Sequence, residues 1–265
     1  MNIILFDVID QDTCSKEFNV TGVIFGVFII LAIFLTYIPQ YYKIIKKKSS
    51  KGISNIYIFL YNVTNFTNFF GTLLINFNLV NCCTHVSGDK CMNLLLPIIQ
   101  MFTPWISVFV LYIIFIIYEE TYINRLKTKS FISFIIFITI FVFFLGFIGM
   151  GFLLEYPKYQ KNVKIFGDCL NIISTITCVL CLFPQIYQIY KQKNIGNLSL
   201  ISVALQTPGS LIVFIYQYFI INGPFSIGMP YLFSFIFQTI LLIQGIYYDK
   251  FYKTPIILIN SYDDD

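Results

Sequence analysis

Apolar residues run through this chain in long blocks, not in the one-sided stripe of a soluble helix, and polar residues collect in the short gaps between blocks. Seven blocks, at about 20–45, 53–76, 94–118, 131–154, 163–190, 198–221 and 225–248, are long enough to cross a bilayer, which takes about 20 residues of helix. Six of them are interrupted by at least one Asn or Gln; the fourth has none. No connection is long enough to hold a second domain. The pattern predicts an all-α membrane protein with seven transmembrane helices, leaving 1–19 and 249–265 outside the bundle.

Composition removes the soluble alternative. The chain of 265 residues is 57% apolar and 11% charged, with thirty Phe and nineteen Tyr, whereas a soluble domain carries about 25% charged residues. The net charge of +4 does not indicate nucleic acid, because the lysines stand in short clusters at the ends of the apolar blocks. The first eighteen residues are acidic and broken, which predicts no signal peptide.

One element occurs twice. At a constant offset of 145, Pro39 pairs with Pro184, Gln40 with Gln185, Tyr42 with Tyr187, Ile44 with Ile189, Lys46 with Lys191, Lys48 with Lys193 and Ser54 with Ser199. Seven identities in the sixteen positions from 39 to 54 exceed the one or two that composition alone gives. Flanked by apolar blocks, the echo is a duplicated membrane unit.

Orientation comes from the cations. With the N-terminus outside, twelve of the seventeen Lys and Arg lie on the inner side, so the N-terminus is expected to be lumenal or extracellular and the tail cytosolic. Both Pro-Gln pairs then sit near cytosolic helix ends. Two copies of a three-helix unit in the same orientation need one extra crossing between them. The block 131–154, with eight Phe and Gly146, Gly149 and Gly151, suits that linker, and none of its residues is expected to line a solute path. The expected layout is therefore two parallel three-helix repeats joined by a linker helix (3+1+3): 20–118, 131–154 and 163–248, with a solute route between the two bundles.

With its two Pro-Gln elements, each trailed by Lys and Ser, the chain resembles the PQ-loop repeat family, which includes cystinosin, lysosomal cationic amino-acid exporters, the SWEET sugar carriers and the KDEL receptor. The resemblance covers the whole chain in topology and is specific in sequence at those two elements. It implies a seven-helix membrane protein and, for most of the family, transport.

Proline in a helix has no N–H to donate and strains against the carbonyl four residues back, so Pro39 frees Leu35 and Pro184 frees Leu180. In lipid a freed acceptor must be met by protein or water, which places both sites in the bundle interior, with Gln40 and Gln185 beside them. Because both copies keep the pair, a hinge is favoured over a static kink.

The remaining polarity gives the candidates for solute binding: Asn62 and Asn65 in the second block, Gln100 in the third, Asn171 in the fifth, Gln206 and Ser210 in the sixth and Gln238 in the seventh. The competing reading is that these groups hold helices together, at about 0.6–2 kcal/mol per contact. Asp168, inside the fifth block, reads either as a solvated pair with Lys164 at i, i+4 or as a proton-coupling group. Its repeat mate is Val23.

Cys14, Cys82, Cys83 and Cys91 fall on the outer side, where disulfides within the second outer loop or from it to the N-terminal segment leave three pairings open. Cys169, Cys178 and Cys181 in the fifth block are expected to be packing residues. His85 stands alone, so no metal site is expected. Tyr248 to Phe251 has the form of a tyrosine-based sorting signal.

No phosphate loop, GxSxG or pair of carboxylates in one cleft is present, which predicts a protein that is not an enzyme and needs no cofactor. The expected function is transport of a small polar solute, amino-acid-like before sugar, with or without a proton, by alternating access between the bundles. A non-transporting sorting or scaffold receptor similar to the KDEL receptor is the alternative. The expected partners are that solute and the lipid bilayer, not nucleic acid, and the expected location is an endolysosomal or other intracellular membrane.

Overall fold

The computed structural model describes residues 20–50, 53–83, 86–118, 132–133, 136–139, 156–193, 198–221 and 223–251. Among the described residues there is no strand. Helices α1 (Val20–Lys47), α2 (Asn55–Ile75), the short α3 (Phe77–Cys82), α4 (Gly88–Ile117), α5 (Tyr156–Gln192), α6 (Leu200–Ile215) and α7 (Phe225–Phe251) follow one another, and a π-helical turn at Tyr216–Ile220 extends α6. Apart from 131–154, the expected blocks and the observed helices agree to within a few residues at most ends. The largest differences are at α4 and α5, which begin six and seven residues before their apolar blocks because polar first turns extend them.

Five helices are long and apolar enough to cross a membrane by length and composition. Helix α2 falls below that apolarity because Asn62, Asn65 and Asn68 with Thr64, Thr67 and Thr72 occupy it, yet all but Thr67 are buried. The polarity points inward. Large apolar side chains point outward instead: Ile24, Phe28, Leu31 and Leu35 on α1, Ile172, Ile176 and Leu180 on α5 and Ile236, Ile240 and Ile243 on α7 are all exposed. A soluble fold would not leave such a surface bare. Hydrocarbon is the solvent that suits it, with amides and hydroxyls satisfied inside.

The six long helices close a ring. Helix α4 packs between α1 and α2, α7 packs between α5 and α6, and the two groups meet along two seams, α2 with α5 and α1 with α6. The α2–α5 seam is much the more extensive. Of the expected linker only 132–133 and 136–139 are described; they are helical, and Phe137 packs edge-on to Phe66 and beside Phe109, on the α2–α4 side. The rest of 131–154 lies outside the described residues, as do Cys14 and His85.

Cys83 and Cys91 form a disulfide that ties the end of α3 to the first turn of α4, and Cys82 is also disulfide-bonded. Cys178 and Cys181 are buried, but Cys169 is exposed, which corrects the expectation that all three pack inside. Its position on α5 faces outward with Ile165, Ile172 and Ile176. The sorting-signal reading is also corrected: Tyr248 is buried against Ile189, Leu198 and Leu241 within α7, so it cannot present an extended signal.

Candidate functional site

Helix α1 ends in a Schellman motif. Lys48 takes a left-handed φ of 48°, its N–H donates to Ile45 O (3.3 Å), and the Ser49 N–H donates to Ile44 O (3.4 Å). Lys193, the repeat mate of Lys48, has the same φ of 48°. Both copies therefore turn at one backbone position, and each chain reversal delivers a serine, Ser54 or Ser199, as the N-cap of the next helix. Ser54 Oγ accepts from the Tyr57 N–H (3.4 Å), and Ser199 Oγ accepts from the Ser202 N–H (3.3 Å).

In a capping box a Glu or Gln at the third helical position reaches back to the N–H of the cap residue. Here that position holds Tyr57 in α2 and Ser202 in α6, neither of which can do this. The missing acceptor comes from the opposite repeat. Gln40 Oε1 accepts from the Ser199 N–H (2.6 Å), and Gln185 Oε1 accepts from the Ser54 N–H (3.1 Å). Each Pro-Gln pair thus caps the second helix of the other copy, so a bend at Pro39 or Pro184 is tied directly to the start of α6 or α2. On the α1–α6 side, Lys43 Nζ also donates to Leu198 O (2.5 Å) and the Ser202 hydroxyl donates to Thr36 O, three residues before Pro39.

Between the halves lie two small cavities that have Tyr61 as a common lining residue. The one nearer the Pro-Gln end is bordered by Tyr37, Gln40, Tyr57, Tyr61, Ser202 and Gln206, and the deeper one by Tyr61, Asn65, Asn68, Ser174, Cys178, Tyr231 and Ser234. Each encloses only about 20 Å³, room for little more than a water molecule, so a larger solute needs the halves to part further. Their described lining carries no charged side chain. The Tyr37 and Tyr61 hydroxyls meet at 3.1 Å, Asn68 Nδ2 donates to Tyr231 Oη (3.4 Å), and Asn68 Oδ1 has no hydrogen-bond partner.

Of the residues expected to bind solute, Asn65 and Gln206 border these cavities, with Asn65 Nδ2 also on Tyr61 O (2.7 Å). Asn62 faces α4 and donates to Val108 O (3.2 Å). Ser210 donates to Gln206 O (2.7 Å) and Gln238 Oε1 (3.2 Å), joining α6 to α7. Gln100 lies at the end away from the Pro-Gln pairs, donating to Gly26 O (3.3 Å) and accepting from Gln217 Nε2 (3.0 Å). Asn171 is buried in the α2–α5 seam with no hydrogen-bond partner for its amide. Asp168 does not pair with Lys164, which is exposed; it accepts instead from Ser226 Oγ (2.6 Å) on α7. The tyrosines of the cavities were not legible in advance, since nothing in the sequence separates four of them from the other fifteen.

The sequence matches the family described as PQ loop repeat at residues 21–81 and again at 166–227. Each match contains one Pro-Gln pair, one left-handed lysine and one capping serine. The chain is a PQ-loop repeat protein. Among curated proteins none matches this PQ-loop chain in sequence. Among solved structures, a eukaryotic SWEET transporter resembles it with 13% identity and a TM-score of 0.46, over 86% of this chain and 95% of that one. With its long apolar helices and exposed apolar faces, this PQ-loop protein is an integral membrane protein.

Proposed function

We propose that this PQ-loop protein carries a small polar solute without net charge across an intracellular, endolysosomal membrane, by alternating access between two three-helix bundles joined by 131–154 as a linker. The observation that carries the reading is the pair of uncharged cavities between the halves, in which hydroxyls and amides stand among apolar side chains, bounded at the Pro-Gln end by bonds from each repeat to the other. Isolated charges in such a site are costly, whereas a zwitterion or a neutral polar solute can be met by dipoles. The aromatic arrangement favours an amino-acid-like solute over a sugar. Tyr57 stacks on Tyr61 (13° between planes) and Tyr37 on Tyr41 (25°), so these rings spend faces on one another and offer hydroxyl edges.

Uptake by the purified protein in liposomes, with a panel of labelled amino acids and sugars, tests this. Saturable uptake of a neutral amino acid, reduced about tenfold or more by Asn65→Ala as a lost buried hydrogen-bonding group implies, is the expected outcome. Absence of uptake for every solute would favour a sorting receptor. Asp168 is a tie between α5 and α7 that Asn can also make by accepting from Ser226. Asp168→Asn should therefore leave the pH profile of uptake unchanged, and loss of pH dependence would instead assign proton coupling to it.

The cytosolic assignment of the Pro-Gln end is tested separately. The Cys83–Cys91 disulfide at the opposite end fits an oxidising lumen. A tag placed after Asp265 should be digested by protease in sealed, cytosol-out vesicles, and protection of that tag would reverse the orientation.

A further inference from the structure

The two seams between the halves use repeat-related positions and are nevertheless built differently. In the α2–α5 seam, away from the Pro-Gln end, a Cβ on Gly71 would lie 2.5 Å from Asn171 Oδ1 and 2.7 Å from Gly167 O, and a Cβ on Gly167 would lie 2.8 Å from Gly71 O. Backbone meets backbone there. Towards the Pro-Gln end the same seam is continued by Ser174 Oγ donating to Thr64 O (2.8 Å) and Thr64 Oγ donating to Thr177 Oγ (2.9 Å).

The offset of 145 gives the corresponding positions in the α1–α6 seam: Tyr216 for Gly71, Gly22 for Gly167 and Gly26 for Asn171. Where one seam has a glycine on its second helix, the other has a tyrosine, and the space is made by two glycines on the first helix. Tyr216 is 2% exposed, its hydroxyl donates to Gly22 O (3.2 Å), and the same oxygen lies 2.9 Å from where a Cβ on Gly26 would be. The π-helical turn that begins at Tyr216 helps bury Tyr216 and Gln217 together, although they are consecutive. Gln217 then bonds Gln100, which bonds Gly26 O.

A seam of direct backbone contact opens only by parting two helices and losing close packing along them. A seam closed by one ring and two amides opens by side-chain rotation and a small helix displacement. We infer that Tyr216 is the gate at the end away from the Pro-Gln pairs, and that the halves separate there at α1–α6 alone, turning about α2–α5 as a fixed seam. This inference rests on the alternating-access reading above.

Distance measurement between spin labels in the full-length protein in liposomes tests it. One pair, Ile24→Cys with Phe219→Cys, spans the α1–α6 seam at exposed positions (66% and 64%), and a second, Leu73→Cys with Ile165→Cys, spans α2–α5. Both are placed in a Cys169→Ala background, since Cys169 is exposed. Distances are recorded with and without the solute identified by uptake. Tyr216→Ala should add a longer distance for the α1–α6 pair and leave the α2–α5 pair unchanged, and Tyr216→Phe, which keeps the ring, should add a smaller fraction of it. Widening of both seams together, with uptake intact, would overturn the fixed seam and leave the transport reading standing. An unchanged α1–α6 distance in Tyr216→Ala, with uptake intact, would overturn the gate. No solute-dependent distance at either seam and no uptake would remove both readings.

Discussion

Pro184→Ala and Pro39→Ala should each yield a protein that inserts and binds solute but transports it more than tenfold more slowly. Alanine restores the N–H that proline lacks and relieves the clash with the carbonyl four residues back, so the regular helix gains up to about 3 kcal/mol. Each ~1.4 kcal/mol is a tenfold change in population, so a hinge that must bend and straighten would be held in one state. The structure sharpens the expectation, because Gln40 and Gln185 follow these prolines directly and cap α6 and α2 of the opposite repeats. Straightening α1 or α5 moves the amide that holds the other half. Gln40→Ala and Gln185→Ala leave the kink and remove only the cross-repeat bond, at about 1–3 kcal/mol for an unsatisfied buried N–H. Binding and transport measured separately decide the matter: Pro→Ala variants that fold and transport at the wild-type rate would leave the kinks as static packing.

Gly71→Ala should destabilise the protein more than any other single-methyl addition at a glycine whose surroundings are described, apart from Gly26. The added carbon would stand 2.7 Å from the Gly167 carbonyl oxygen, which is backbone and cannot rotate away. Helices α2 and α5 must then separate along the most extensive contact in the ring. Overpacking of this kind costs about 1–3 kcal/mol, and small residues are what allow close helix approach in a membrane. Gly209→Ala is the control: a Cβ there meets nothing within 4 Å, and alanine in a helix is favoured over glycine by about 1 kcal/mol. Thermal unfolding in detergent should show a lower midpoint for Gly71→Ala and no fall for Gly209→Ala. Equal midpoints would mean that the α2–α5 seam is loosely packed.

The helices themselves were legible because a bilayer imposes a length and an apolar composition that few other structures satisfy. Candidate site residues were only partly legible. Asn65 and Gln206 border the cavities, whereas Asn62 turns to α4 and Ser210 to α7, and the four sit on the same two helices with similar spacing. Which face of a polar helix meets solute depends on what packs beside it, and neighbours are not written in a single strand of sequence. Hydroxyls mislead further: Thr67, Thr103 and Thr207 donate to the carbonyl four residues back, so their polarity is spent within their own helix.

By itself the sequence determined that this chain lives in a membrane, that it is duplicated, and that each copy carries a Pro-Gln pair followed by a lysine and a serine at fixed spacing. Those are local and compositional properties, and hydrophobic block length and internal identity report them directly. The tertiary structure decided that Gln40 serves Ser199 and Gln185 serves Ser54, across offsets of 159 and 131 residues. It also decided that Gly71 and Tyr216, equivalent in the repeat, make one seam closed by backbone and one closed by a ring. Pairing between copies is set by how two half-rings of helices pack against each other, and the same duplicated residues are compatible with partners inside their own copy until that packing is fixed.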